Sequence, residues 1–178
     1  MLTLTTPRLK LRAHRETDAE ALFPIFASWS VIRWLAMPPW PYEKKDMETF
    51  LQTNDEVYLV MEHKGLPIGA ISWRYRPASH LQSEDGPNIG YWLGEKWWGQ
   101  GFMTEAAHAV CHHLFQSSDT AAIYSGYFEG NEGSSRVQAK LGFETAGKTK
   151  VMCRPHQTEL PHTNTVLHRA VFGREPDL

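Results

Sequence analysis

The sequence predicts a mixed α/β fold, a mixed sheet with helices on both faces, in the order β-α-α-β-β-β-α-β-α-β-β. Three observations predict it. Short apolar, β-branched or aromatic runs alternate with segments whose apolar residues fall three and four apart, as at Met103, Ala107, Val110 and Leu114. No segment repeats, and no linker interrupts the chain. The 178 residues, 42% hydrophobic and 21% charged, suit one domain with a real core. Residues 1–172 are therefore read as a single domain and 173–178 as a tail.

Residues 9–12 form the first strand, which could begin at Leu2, with Pro7 between. Thr17-Asp18 caps the first helix, with Glu20 in its first turn and Ala21, Leu22, Ile25, Phe26 and Trp29 as its apolar face. Trp29 and Trp73 are read mainly as core fillers. In residues 30–42 three prolines forbid a long helix. That aromatic loop either packs on the core or roofs a pocket. The roof is preferred, which makes Trp34, Trp40 and Tyr42 candidate substrate-binding residues. A helix over 43–53 follows, then a hairpin with strands at 57–62 and 68–75 around Lys64-Gly65. Residues 76–87 read as loop, 89–93 as a buried strand, and 102–117 as a helix. A strand at 121–128, a helix at 131–141 ended by Gly142, and a strand from Phe143 come next. Residues 152–161 read as loop and 163–172 as the last strand.

Composition excludes several classes. Net charge is −2, with 18 basic and 20 acidic residues, so no basic excess grips a nucleic acid backbone. The apolar runs are too short to span a bilayer, and the first residues lack a charged-then-apolar secretory pattern. Cys111 and Cys153 make no disulfide framework. A cytoplasmic protein without nucleic acid or membrane partners is expected.

Residues 94–101 carry Gly94, Gly99 and Gly101 between a strand and a helix, an arrangement suited to an anion at the helix N-terminus. The triphosphate loop is excluded, because Gln100-Gly101 stands where Lys-Ser/Thr is required. The dinucleotide fingerprint is excluded, because Thr104 occupies its third glycine position. His108 and His112 share a helix face but lack a third ligand, so a polar face is the reading and no metal is expected.

Lys96-Trp97-Trp98-Gly99-Gln100-Gly101 resembles Gln/Arg-x-x-Gly-x-Gly/Ala, the coenzyme A pyrophosphate cradle of the GNAT superfamily of N-acetyltransferases, with Lys96 in place of Gln or Arg. Residues 129–143 resemble the same family's N-x-x-S-x-x-x-x-x-K-L-G-F helix at Asn131, Ser134, Lys140, Leu141, Gly142 and Phe143. Residues 6–22 are similar to the opening of its RimJ/RimL-like branch. The resemblance implies the GNAT acyl-CoA N-acyltransferase fold, acetyl-CoA as co-substrate, and direct acetyl transfer to a primary amine. The acceptor would be a ribosomal-protein or peptide N-terminus, or a small molecule. A non-catalytic acyl-CoA sensor on the same fold is the alternative, and the protein could be a monomer or a homodimer.

By the same resemblance, the coenzyme contacts fall on Tyr91, Trp92 and Leu93 in the strand, where a backbone N–H near Trp92 or Leu93 would bind the thioester oxygen. They continue through Lys96, Trp97, Trp98, Gly99, Gln100, Gly101, Phe102 and Met103, and on to Asn131, Ser134 and Lys140. Many relatives place a tyrosine where this chain has Gln138, so Ser134 is the expected proton donor to the thiolate. Glu95 is the matching base, or else a solvated carboxylate. Asn88 stands where many relatives carry a glutamate, so Glu84, Asp85 or His80 could act instead through water. Glu105 is read as structural.

Overall fold

The computed structural model describes residues 2–52, 57–75 and 86–173. Among the described residues the elements are β1 (Thr3–Thr5), β2 (Lys10–Ala13), α1 (Asp18–Phe26), α2 (Trp29–Ile32), α3 (Lys44–Gln52), β3 (Val57–His63), β4 (Leu66–Arg74), β5 (Asn88–Leu93), α4 (Phe102–Ser117), β6 (Ala122–Phe128), α5 (Glu132–Leu141), β7 (Glu144–Cys153) and β8 (Thr158–His168). These eight strands form one sheet in the order β1-β2-β3-β4-β5-β6-β8-β7.

The first strand of the sequence reading is in fact two. Pro7 has no N–H for a ladder, and the Thr6 hydroxyl bonds Leu9 in a tight turn, so Thr3–Thr5 folds back antiparallel on Lys10–Ala13. Residues 29–32 form a short extra helix. Residues 152–161 are not a loop: β7 runs to Cys153, turns over 154–157 with Gln157 at φ 55°, and returns as β8. Much of this hairpin is exposed, so its polar residues hid a strand pair, and β8 closes at His168, before Phe172. The His80, Glu84 and Asp85 alternatives and the tail beyond residue 173 lie outside the described residues.

Strand alternation sorts the core onto two faces. On one, Val60, Ala70 and Trp92 meet Leu22, Phe26, Ile32 and Met47 of α1–α3. On the other, Leu59, Met61, Ile71, Ile89 and Ile123 meet Val110, Leu114 and Leu141 of α4 and α5. Trp73 is buried there as expected, whereas Trp29 is 38% exposed and packs on Trp40 and His156 instead of the core.

Two ion-pair clusters fix helices to the sheet. Buried Arg12 bonds Asp18 at 2.7 and 2.8 Å and Glu62 at 2.7 Å. Thr17 gives no side-chain cap to α1; Asp18 instead accepts the Arg15 amide and the Arg12 guanidinium. Burial opposes ionisation of Asp18, yet these donors hold it below the ordinary carboxylate value. Glu105, in the first turn of α4, accepts from the Thr6 hydroxyl (2.6 Å), the Arg8 amide (2.9 Å) and the Arg8 guanidinium (2.6 Å), tying the start of α4 to the β1–β2 turn.

Because the folded value of Asp18 is depressed, its contribution is present at neutral pH and is lost as pH falls through that value, below about 3.9. Asp18→Asn should cost roughly 3 kcal/mol at pH 7, as for a broken buried pair. Urea unfolding at pH 7 and pH 3 checks this: the variant should lose less stability between the two than the parent does.

Candidate active site

The site begins where the sheet parts. β5 and β6 run parallel but share one register pair, Asn88 with Tyr124, closed by the Tyr124 amide on Pro87 O at 2.9 Å. The next bonds of that ladder would join Gly126 N to Ile89 O and Tyr91 N to Gly126 O. They are replaced by side chains. Ser125 Oγ donates to Ile89 O (3.1 Å) and Gln138 Nε2 to Gly126 O (3.2 Å), while Trp98 Nε1 caps Leu93 O at 2.7 Å. With these carbonyls satisfied, the strands separate around a cavity of about 640 Å³ that opens on both faces of the sheet. By ladder alternation, the amides of Tyr91 and Leu93 face this gap.

On the α4/α5 face the wall is built for an anion. Gly99 and Gly101 adopt φ of +72° and +79°, the left-handed region that glycine tolerates, and Gly101 caps α4. A Cβ at Gly99 would meet nothing within 4 Å, so the loop leaves open space beside the first amides of the helix. Trp97, Trp98 and Met103 line the cavity beside it. Across from them, Asn131 caps α5 by accepting the Ser134 amide at 3.2 Å, and Ser134, Arg136 and Lys140 line the opposite wall.

Ser134 Oγ lies 2.8 Å from Tyr91 Oη and 3.2 Å from Gln138 Nε2. Gln138 is buried; Thr165 Oγ1 donates to its Oε1 at 2.6 Å, and its Nε2 also reaches Tyr91 Oη and Ser125 Oγ at 3.2 Å. Burial pushes the Tyr91 phenol up to about 12, so it stays protonated at neutral pH. Gln138 is thus not an empty position: it orients the Ser134 and Tyr91 hydroxyls.

On the α1–α3 face the wall is aromatic. Trp34, Leu35, Trp92 and Phe128 line it, together with Arg33 and His162. Trp40 and Tyr42 are not brought there. Tyr42 is buried against Phe26 and Phe23, and Trp40 packs at a tilt on Trp29, so the loop over 30–42 partly packs on the core and partly walls the cavity. Glu95 is also displaced: it starts an exposed 3₁₀ turn (Glu95–Trp97) and does not line the cavity. Lys96 lies over the outer ring of Trp97 at 4.2 Å, Gln100 bonds Lys96 O, and buried Phe102 packs under Arg8 and beside His63. These three support the loop without lining the cavity.

Sequence reasoning missed His162 and Arg33. His162 comes from β8, and its ring crowds Gly126, where a Cβ would lie 2.3 Å from Cε1 and 3.0 Å from Nε2. Its Nδ1 lies 2.9 Å from Asn164 Oδ1, a contact that favours the proton on Nδ1. Burial lowers the imidazole below its ordinary value, against the smaller opposite effect of Asn164. Neither cysteine is poised to attack: burial pushes the Cys111 thiol up to about 12, and Cys153 points its Sγ at the carbonyls of Arg33 and Leu35. His108 packs on Phe172 and His113 on Trp73.

Residues 8–144 match the family model of the acetyltransferase (GNAT) domain. The chain belongs to this family. Among curated GNAT relatives it is 28% identical over 159 residues to an N-acetyltransferase of Bacillus subtilis, YoaA, covering 81% of this chain and 84% of that one. It is 26% identical over 153 residues to the ribosomal-protein-serine acetyltransferase of Escherichia coli, covering 80% and 82%. In structure it resembles RimL, a ribosomal L7/L12 α-N-protein acetyltransferase in complex with coenzyme A, at a TM-score of 0.78 and 19% identity, over 94% of this chain and 98% of that one. The mixed sheet thus matches the fold of GNAT acetyltransferase structures, with RimJ/RimL-like acetyltransferases among them. Among the described residues no helix is long and apolar enough to cross a membrane.

Gln138→Leu keeps the volume but orphans the Thr165 hydroxyl and frees the Ser134 and Tyr91 hydroxyls. It should lower stability by about 2 kcal/mol, the cost of a buried donor left unpaired. Equilibrium urea unfolding checks this; a change under a few tenths would show that the network carries no weight.

Proposed function

We propose that this chain moves the acetyl group of acetyl-CoA to a primary amine by direct attack, and that each face of the sheet receives one substrate. The observation that carries this reading is the parted β5–β6 gap, with a glycine-lined helix start on one side and a hydroxyl at its throat. The residues present fit the coenzyme: open space at Gly99, the first amides of α4, and Lys140 suit its phosphates. The amides of Tyr91 and Leu93 would take the thioester oxygen as charge develops on it. Acetyl-CoA supplies the activated acyl group. The ribosomal-protein relatives support a peptide N-terminus as acceptor and a cytoplasmic setting.

In this reading the amine nitrogen forms a bond to the acyl carbon as the C–S bond breaks. Ser134 Oγ hands a proton to the leaving sulfur and is resupplied through the Tyr91 phenol beside it, the balance being met by the second proton that the nitrogen sheds to solvent after attack. The amine must first shed a proton, since at neutral pH it is mostly ammonium. His162 is the proton acceptor on that face. Arg33 is the other charged or titratable side chain lining that half of the cavity among the described residues.

Titration with acetyl-CoA tests the donor half. Binding should be measurable by calorimetry, and Gly101→Asp should abolish it, since its φ of +79° strains any side chain and a carboxylate there repels phosphate. Binding unchanged by the substitution would sink the reading.

The acceptor half predicts a pH profile. Because burial lowers the His162 value, the neutral base is present at pH 7 and is lost as pH falls through a value under about 6.5. The acid limb of kcat/KM, followed by free thiol release, should show that ionisation. His162→Gln should lower kcat/KM by about 10²-fold or more and remove the limb. Ser134→Ala should lower kcat while leaving the limb in place.

A further inference from the structure

Among the described residues two buried side-chain atoms lack a hydrogen-bond partner, Arg33 Nε and Asn88 Nδ2. Both are donors, and both side chains line the β5–β6 cavity. Both atoms are shut from solvent, so a small turn of each side chain is what would bring the donors to a ligand's oxygen acceptors, and an unpaired buried donor gains by that turn. The rest of the wall shows which substrate brings them. Arg136 and Lys140 lie on α5, on the coenzyme face, and Glu132, the one carboxylate lining the cavity among the described residues, is already bonded to Arg136 at 2.9 Å.

Arg33 belongs to the other face. It follows α2, its guanidinium lies on Trp34 at 4.6 Å, and its carbonyl is held by His156 Nε2 at 3.2 Å and faced by Cys153 Sγ. The charge is thus fixed on an aromatic surface, and none of the ion pairs among the described residues includes it. A guanidinium whose carbon sits over an aromatic ring still has N–H groups to offer a planar anion. Asn88 stands on β5 at the closed end of the gap, adding a neutral donor where a carboxylate would repel an anion.

We propose that the acceptor amine carries a carboxylate, bound by the Arg33 fork with Asn88 as second donor, and that these two residues set acceptor choice. This rests on the transferase reading above. The carboxylate has two sources, an acidic side chain near a peptide N-terminus or the α-carboxylate of a free amino acid.

Thiol release with matched acceptors decides. One arm compares short peptide amides with Glu or Gln at the second position; the other compares free amino acids with their amides. The acid member should win in one arm by at least about tenfold in kcat/KM, the scale of a charge-assisted pair, and the winning arm names the source. Arg33→Gln should bring that ratio near one, and Arg33→Lys, which keeps the charge without the fork, should leave it between. If Arg33→Gln does not fold, Arg33→Lys and Asn88→Ala must each reduce the ratio. Equal rates for acid and amide, or a ratio unmoved by the folded variants, overturn the proposal alone. If acetyl-CoA binds but no amine is acetylated, the transferase reading falls and this inference with it.

Discussion

A parallel sheet cannot be opened for nothing, because every N–H and C=O along the parted edges then needs another partner. In this protein that need determines the site. Past the single Asn88–Tyr124 pair, the carbonyls of Ile89, Leu93 and Gly126 would be orphaned; a serine hydroxyl, an indole N–H and a glutamine amide take the places of the missing strand bonds. Those three donors serve carbonyls and leave the edge amides to face the gap. The opening therefore presents the Tyr91 and Leu93 amides beside the Tyr91 carbonyl, and those amides suit a thioester oxygen gaining negative charge.

Gln138 links this constraint to the chemistry. The amide that satisfies Gly126 O also touches the hydroxyls of Ser125, Tyr91 and Ser134, and its oxygen is fixed by Thr165 on β8. It has two protons for four neighbours at 3.2 Å, so the neighbouring hydroxyls must orient cooperatively to share them. A tyrosine at that place would offer one proton where Gln138 offers two. The phenol is supplied from β5 by Tyr91, which approaches Ser134 from the strand side.

What could be read from sequence was local. The glycine loop, the Asn131 cap and the Gly142 stop each depend on the residues immediately around them, and residue type constrains φ directly. Long-range placement was not readable in that way. Glu95 follows the strand at the spacing of a base, but a one-turn 3₁₀ helix points it outward. Tyr42 and Trp40 belong to an aromatic stretch whose neighbours decide burial: Phe23 and Phe26 take one into the core, and Trp29 takes the other away from the cavity. His162 becomes visible only once the polar residues of 152–161 are seen to pair as strands, which brings β8 beside Gly126.

The two faces of the opening have different origins, and that separates donor binding from acceptor choice. The α4/α5 wall is made by two contiguous segments, β5 through α4 and the start of α5, so its geometry travels with short motifs. The opposite wall joins a turn after α2 to the far end of the β7–β8 hairpin, and its contacts run between Arg33 or Leu35 and Cys153 or His156. In the proposed reading, substitutions at Arg33 or His162 alter what lies against the amine and leave the Gly99–Gly101 loop in place. If the proposed assignment of the two faces holds, a chain built this way can keep its coenzyme wall fixed while its acceptor changes, because the sheet itself lies between the two sets of contacts.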